Sequence, residues 1–267
     1  MKKLFQFVGL ITLLFFSFYL NSTTKNVIKN MDDIMMQIKI NKNKYNQDAV
    51  DAIIIDKYII PGISKKTVDE NKSYENMRKY GKYDEDYYIY KYKLPSINLE
   101  NNKNKIIKSG NKTKKMISIN FIVNNIDDIN KIIEILDRNK VKSSFFINKK
   151  LLDRNIEKFY DITSNKHLIG INNCDKEVIS IIKNVIKQKK IYYYSINDNI
   201  CKIDSIYNVG GIYISDNYSE TIINNLKSGA IFTFKYNNKL INELDYIIKY
   251  IINRGYDIET LDIHFQE

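Results

Sequence analysis

Residues 116–124 read M-I-S-I-N-F-I-V-N, and this stretch decides the fold. Apolar side chains alternate in it with small or polar ones, at Ile117, Ile119, Phe121 and Val123. That period of two residues is typical of a β-strand that enters a buried sheet. Further strand-like runs follow and alternate with helical ones, which predicts an α/β fold with a parallel sheet and helices outside it.

The remaining predicted elements alternate along the second half of the chain. Strands are predicted over residues 141–147, 168–172, 191–196, 211–214, 230–234 and 256–261. Helices are predicted from Asp127 or Asp128 to about residue 139, and over residues 151–163, 177–189 and 239–253. The register between residues 191 and 216 stays open, because the pattern there is weak.

Three motifs resemble the polysaccharide deacetylase (NodB-homology) family. Residues 120–124, N-F-I-V-N, stand where the family's first strand ends in T-F-D-D-G, and residues 141–147, V-K-S-S-F-F-I, are similar to its V-K-A-T-F-F-V. Residues 254–261, R-G-Y-D-I-E-T-L, match its closing K-G-Y-x-F-V-T-L. The resemblance covers residues 116 to about 263 and implies a distorted, incomplete (β/α) barrel.

The resemblance also implies a metal site. Active members hold a divalent metal, usually zinc, between one Asp and two His, while a second Asp acts as the base and a late His as the acid. In this chain the corresponding positions fall on Ile122, Val123, Asn172, Lys176 and Lys235. None of these side chains offers the imidazole, thiolate or carboxylate that zinc requires. The sequence therefore predicts a catalytically degenerate member, with no catalytic residue, no metal ligand and no cofactor at these positions.

Two sets of polar side chains leave alternatives open near these positions. Asp127, Asp128 and His167 are candidates for a displaced metal site, although the two aspartates also suit the role of helix caps. Candidate contacts for an anion or a glycan lie at four positions: Lys176, Lys235, Asn124 and Asn173. The alternative is that both lysines are solvated, as expected in a chain with 42 Lys and Arg residues.

The N-terminus and a net charge of +11 together predict the compartment. Two lysines precede residues 4–20, an apolar run with few interruptions. That pattern is typical of a signal anchor or of a cleaved signal peptide. We expect a single-pass protein of the cell membrane with its C-terminal domain outside the cytoplasm, or alternatively a secreted protein. A basic surface there faces anionic lipid or wall polymers, which excludes nucleic acid as a partner.

The chain is predicted to consist of four segments. Residues 1–21 form a signal anchor or transmembrane helix, residues 22–99 a stalk helix and a small tyrosine-rich α+β module, residues 100–115 a linker, and residues 116–267 the deacetylase-like domain. The tyrosines of the module either stack on sugar rings or form core pairs. Cys174 and Cys201 are compatible with one disulfide in an oxidising compartment, although their spacing does not demand it.

These observations favour a membrane-anchored, extracytoplasmic pseudoenzyme that binds or scaffolds cell-wall glycan or an anionic wall polymer. One alternative is an active metal-dependent carbohydrate (N-acetylglucosamine) deacetylase with an atypical site. Another is a structural partner in an envelope complex, which would use the tyrosine-rich module. Metal content separates the enzyme from the other two, and glycan binding separates the binding protein from the structural partner.

Overall fold

The structure, a computed structural model, describes residues 2–267, with the side chains of residues 2–10, 13, 14 and 22 outside the description. The chain divides into two compact units. The smaller unit comprises Met1–Ala49 and Ser64–Lys93, and the larger one comprises Val50–Ile63 and Leu94–Glu267.

Helices and strands alternate through most of the described chain. The helices are α1 (Lys2–Met31), α2 (Asp33–Asn41), α3 (Glu70–Arg78), α4 (Ile126–Arg138), α5 (Lys149–Arg154), α6 (Ile156–Ser164), α7 (Lys176–Asn184), α8 (Tyr218–Asn225), α9 (Asn238–Asn253) and α10 (Leu261–His264). The strands are β1 (Ile53–Ile55), β2 (Tyr58–Ile60), β3 (Lys65–Val68), β4 (Tyr90–Lys93), β5 (Ile106–Ile107), β6 (Met116–Ile122), β7 (Ser144–Ile147), β8 (Leu168–Ile171), β9 (Ile191–Tyr194), β10 (Ile206–Val209), β11 (Ile212–Ile214), β12 (Ile231–Lys235) and β13 (Asp257–Ile258).

The first helix, α1, covers the segment for which the sequence predicts a membrane anchor. Within the part of the chain that the structure describes, no helix combines the length and the apolar character needed to cross a membrane. Met1 and most side chains of residues 2–14 lie outside the described residues. The anchor over residues 1–21 therefore stays a prediction.

The smaller unit packs α2 and α3 with the antiparallel pair of β3 and β4. Its core contains the buried residues Met35, Ile38, Val68, Tyr74, Met77 and Tyr88. The carboxylate of Asp69 accepts a hydrogen bond from the amide of Lys72 and thereby caps α3. The ring of Tyr88 lies 4.9 Å from that of Tyr45, so part of the tyrosine-rich segment forms core pairs.

One eleven-stranded sheet organises the described part of the larger unit. Its strand order is β1-β2-β5-β10-β9-β8-β7-β6-β12-β11, with β13 beside β6. The two N-terminal strands, β1 and β2, are antiparallel to each other, whereas the other pairs in the sheet are parallel. The parallel sheet that the alternation of strands and helices predicts is confirmed.

The strands β10 and β11 are two halves of one bent strand that brings the ends of the sheet together. The first half pairs with β9 and β5, and the second half pairs with β12, at the other end of the strand order. Between them Gly211 has a φ of +119°, and a Cβ atom there would lie 2.6 Å from the carbonyl oxygen of Ile231. Only glycine accepts both the backbone angle and the close approach. The sheet is therefore a curled, incomplete barrel, as the resemblance implied.

Two apolar layers follow from the alternation of side chains along the strands. Phe121, Phe145 and Phe234 face the layer between the sheet and its helices. Phe146, which follows Phe145 in β7, and Tyr192 of β9 face the inside of the curl. Aromatic rings pack against each other in that interior. The ring centroids of Phe146 and Tyr194, for example, lie 5.3 Å apart.

The segment predicted as a linker contributes to this sheet. Within residues 100–115, Ile106 and Ile107 form β5 and are buried. The strand β5 pairs with β2 on one side and β10 on the other. Residues 50–63, expected in the tyrosine-rich module, likewise belong to the larger unit. The helix predicted over residues 151–163 is divided at Asn155 into α5 and α6.

Candidate functional site

The carboxyl edge of the sheet is where the resemblance implies a metal site. In the strand register, Lys235 at the end of β12 lies beside Ile122 at the end of β6, and Ile122 lies beside Phe146 of β7. Ile122 is half-buried and packs against the inner apolar layer, while Lys235 is exposed. The structure thus brings two of the predicted positions together, and they present an alkyl side chain and an ammonium group.

The neighbouring position, Val123, faces the other side of the sheet. Its side chain is fully buried in the layer between the sheet and the helices. Its amide donates a hydrogen bond to the carbonyl oxygen of Phe146, so the strand pairing continues through this residue. The side chains of Ile122 and Val123 therefore face opposite sides of the sheet in this structure.

Asn172 and Lys176 lie in the loop that follows β8. The amide of Asn172 donates a hydrogen bond to Ile147, 3.1 Å away, and its Oδ1 atom is buried without a hydrogen-bond partner among the described residues. Lys176 is exposed at the first position of α7. A disulfide joins Cys174 to Cys201 and ties this loop to the segment before β10, so the pairing left open by the sequence is present.

The other two candidate contacts are exposed asparagines. The Oδ1 atom of Asn124 accepts a hydrogen bond from Asn148, 3.1 Å away, across the loops after β6 and β7. Asn173 is exposed in the loop after β8. Both lie in loops at the same edge of the sheet as Lys235, and their role as contacts for an anion or a glycan stays a prediction.

Neither Asp127 nor Asp128 caps α4, so that part of the prediction is wrong. The cap of α4 is Asn125, whose side chain accepts a hydrogen bond from the amide of Asp127. Asp128 lies near Tyr236, and burial, reinforced by Asp128, raises the pKa of the Tyr236 hydroxyl. The aspartates occupy the first turn of α4, where negative charge suits the helix dipole.

Both histidines lie away from the carboxyl edge. His167 precedes β8, at the amino end of that strand, and its Nδ1 atom accepts a hydrogen bond from the amide of Ser143. Burial, together with the ammonium of Lys142, lowers the pKa of His167 to about 4. His264 lies in α10 against Ser118, and burial lowers its pKa to about 3. Neither imidazole is placed to complete a metal site with Lys235 or Asn172.

The donors at the carboxyl edge therefore do not fit a zinc ion. An amide oxygen and two ammonium groups stand where a carboxylate and imidazoles would be needed. Among the described residues, no group of three or more His, Cys, Asp or Glu side chains is arranged to hold a metal.

A different concave site lies where the sheet curls back on itself. A cavity of about 540 Å³ opens between β1, β2 and β5 on one side and β11 and β12 on the other. We call this volume the seam cavity. Its charged lining residues are Lys108, Lys112, Lys227 and Asp198, and its aromatic ones are Tyr58, Tyr194 and Tyr213.

The carboxylate of the seam cavity is already paired. Asp198 accepts a hydrogen bond from Lys57 at 2.8 Å and another from the hydroxyl of Tyr58 at 2.8 Å. These hydrogen bonds, that of Lys57 above all, lower the pKa of Asp198. Sequence reasoning missed the cavity because its walls come from segments far apart in the chain, among them the weakly patterned residues 191–216 and the predicted linker.

At the level of sequence, this chain resembles a curated protein over a short stretch only. No family model matches the sequence. The uncharacterized protein YlxY of Bacillus subtilis (strain 168) is 30% identical over 114 residues. The aligned part is 42% of this chain and 35% of that protein, so the chain spans about a third of the length of the curated relative it matches.

Solved structures give a longer match. Wild-type BA3943 of Bacillus anthracis, a CE4 family pseudoenzyme, superposes with a TM-score of 0.63 at 19% identity, over 89% of this chain and 96% of that chain. The chain has the CE4 fold. The resemblance to polysaccharide deacetylases is thereby confirmed at the level of the fold.

Two further CE4 structures extend the comparison. A BA3943 mutant with restored enzymatic activity superposes with a TM-score of 0.62 at 20% identity, over 88% of this chain and 99% of that chain. The Bc1960 peptidoglycan N-acetylglucosamine deacetylase superposes with a TM-score of 0.51 at 16% identity, over 59% of this chain and 91% of that chain. The similarity to BA3943 thus includes more of this chain than the similarity to Bc1960.

Proposed function

We propose that this chain is a pseudoenzyme of the CE4 fold that binds or scaffolds an anionic wall polymer or cell-wall glycan at the outer face of the cell membrane. The observation that carries the proposal is the chemistry of the carboxyl edge. Ile122, Asn172, Lys176 and Lys235 stand where a deacetylase needs metal ligands and proton carriers. A site with these side chains can hold a ligand, but it offers neither the zinc ligands nor the carboxylate base with which a deacetylase activates water.

The CE4 neighbours support the non-catalytic part of the proposal. The BA3943 structures, which cover 89% of this chain, carry the name pseudoenzyme. The Bc1960 structure, a deacetylase of peptidoglycan N-acetylglucosamine, points to wall glycan as the class of polymer that this fold accommodates. Both points are analogies of fold, whereas the loss of chemical groups is read from this chain itself.

Charge supports the choice of an anionic polymer. The chain has 42 Lys and Arg residues against 31 Asp and Glu residues, which gives a net charge of +11. Such a surface attracts anionic polymers at long range, and the attraction is screened by salt over about 10 Å at 0.1 M. The lysine-flanked apolar run at the N-terminus supports a place at the membrane.

The test uses the full chain purified in detergent and two preparations of insoluble cell wall, one intact and one with its anionic polymers extracted. We expect the chain to sediment with the intact wall, and less of it to sediment with the extracted wall or at high salt. The same preparation, supplied with zinc, cobalt or manganese, should release no acetate from N-acetylglucosamine oligomers above a blank.

Two results would contradict the proposal in different ways. Metal-dependent release of acetate would establish the alternative of an active deacetylase with an atypical site. A chain that sediments with neither wall preparation would favour the structural partner in an envelope complex.

A further inference from the structure

We propose that the seam cavity binds an anionic sugar unit, with its lysines on a phosphate or carboxylate and its tyrosines against the sugar ring. The proposal deepens the proposed function and rests on it, because it names the place and the chemical class of the polymer unit that is bound. The predicted contacts Lys176 and Lys235 lie at the carboxyl edge and do not line this cavity.

The charge of the lining favours an anion. Lys108, Lys112 and Lys227 line the cavity, and Asp198 is the carboxylate among its described lining residues. Since Asp198 is held by Lys57 and Tyr58, its negative charge is already compensated. Lys108 also acts on Asp198, whereas Lys112 and Lys227 form no ion pair with the described residues. An entering ligand therefore meets the positive charge of these two lysines, and lysine ammonium groups are common partners of phosphates and carboxylates.

Buried hydroxyl groups in the lining lack partners. Ser195 is 6% exposed, and its Oγ atom finds no hydrogen-bond partner among the described residues. The Oγ atom of Ser109 is likewise buried without a described partner. Both serines line the cavity. Buried polar groups are nearly always hydrogen-bonded, so these two hydroxyls, on residues that line one cavity, have hydrogen-bonding capacity left for a polar ligand.

The aromatic lining suits a sugar ring. Tyr194 and Tyr213 lie with ring centroids 6.3 Å apart, and Tyr213 is 48% exposed. On the opposite wall, the ammonium of Lys108 lies 4.5 Å from the ring centroid of Tyr58. A tyrosine offers an apolar face to the C–H groups of a sugar and a hydroxyl at its edge. Charge and ring surface thus occur together in one cavity.

The volume of the seam cavity and the backbone angles at its rim also support a binding site for a sugar unit. A volume of about 540 Å³ lies within the range of small-molecule sites, and it accommodates one or two sugar units. Asn197 and Asp198, at the rim, have consecutive positive φ angles of 50° and 60°. Backbone in that region is strained and is concentrated at binding sites.

The test measures binding of four probes to the full chain in detergent by titration calorimetry: glucose 6-phosphate, glucuronate, glucose and inorganic phosphate. We expect at least one of the two anionic sugars to bind roughly tenfold or more tightly than glucose, because the lysines contact its charge. Whichever of the two binds more tightly identifies phosphate or carboxylate as the anion. Equal affinity for glucose, or for inorganic phosphate, would overturn the proposal.

Ser195→Ala provides a sharp variant, because the hydroxyl has no described partner in the protein. We expect the melting temperature to stay the same or rise, and the affinity for the anionic sugar to fall roughly three- to tenfold. A purely structural serine would lower the melting temperature instead. Unchanged affinity would overturn the role of Ser195 and of the cavity.

A charge-matched pair of triple variants separates the cavity from the general basic surface. K108Q/K112Q/K227Q removes the cavity lysines, and K131Q/K158Q/K189Q removes exposed lysines that do not line it. We expect roughly tenfold or greater weakening in the first and little change in the second. If the first triple variant sediments with intact wall as the wild type does, the polymer site lies elsewhere and this inference fails while the proposed function stands. If the wild type sediments with no wall preparation, the proposed function fails.

Discussion

Two adjacent residues, Ile122 and Val123, show why a lost site cannot be judged from sequence positions alone. Both align with aspartates in the T-F-D-D-G motif of the resembling family. In the structure Ile122 borders the inside of the curled sheet, while Val123 is buried on the helix side. Val123 therefore contributes to the apolar layer between the sheet and the helices, where a valine is a typical residue.

A carboxylate should lower the free energy of unfolding by very different amounts at these two positions. Val123→Asp places a charge in a fully buried apolar layer, and we expect the free energy of unfolding to fall by about 3 to 5 kcal/mol. Ile122→Asp lies at the half-buried edge beside the Lys235 ammonium, and we expect a loss of about 1 to 2 kcal/mol. Urea unfolding followed by circular dichroism measures both. Similar losses for the two variants would contradict the placement of their side chains.

The buried imidazole of His167 should make stability depend on pH. Its folded pKa is about 4, below the ordinary value of 6.5, because burial and Lys142 disfavour the proton. Below pH 6.5 the unfolded chain binds a proton that the folded chain does not. The stability present above pH 6.5 is therefore lost as the pH falls towards 4, by up to about 3 kcal/mol.

The variant His167→Gln isolates this effect from that of the carboxylates. The free energy of unfolding, measured by urea titration between pH 7 and pH 4, should decrease less steeply in the variant than in the wild type. Parallel pH profiles for the two proteins would show that His167 is not the group responsible.

At the scale of elements, the bent strand formed by β10 and β11 curls the sheet and forms part of the wall of the seam cavity. Local patterns in the sequence predict the strands β6, β7, β8, β9 and β12 and the helices between them, because each has enough residues to show a period. They do not predict β5, which has two residues, or the change of partner at Gly211, which depends on contacts with Ile231 far along the chain. The cavity escapes prediction for the same reason, since its walls are non-local.

Gly211 should be intolerant of any side chain. Gly211→Ala combines a positive φ with a Cβ atom 2.6 Å from the Ile231 carbonyl oxygen, and we expect a loss of about 3 kcal/mol in the free energy of unfolding. Gly255→Ala in the same unit is the matched control. It also has a positive φ, of 76°, but its nearest neighbour is the movable end of the Lys115 side chain, so we expect a loss of about 1 kcal/mol. Thermal unfolding of both variants tests the difference, and equal melting temperatures would contradict it.

At the scale of the whole molecule, the fold is that of CE4 proteins, whereas the side chains at the carboxyl edge differ from those that the resemblance implies. The CE4 fold is retained together with the strand motifs at residues 141–147 and 254–261 that resemble the family. The side chains that would hold a metal are replaced at the carboxyl edge, and the histidines of the chain are buried elsewhere with pKa values of about 4 and 3. The sequence shows which side chains occupy the positions that correspond to the family's ligands, but it does not show the seam cavity, whose walls come from segments far apart in the chain.

Metal content tests the central claim most directly. The full chain is purified in detergent without chelator, dialysed against excess zinc and then against buffer, and its metal is measured by plasma mass spectrometry. We predict zinc at the level of a protein-free blank, because the carboxyl edge offers an amide and ammonium groups rather than zinc ligands. Near-stoichiometric zinc that survives dialysis would contradict the account and would establish a metal site that these side chains do not explain.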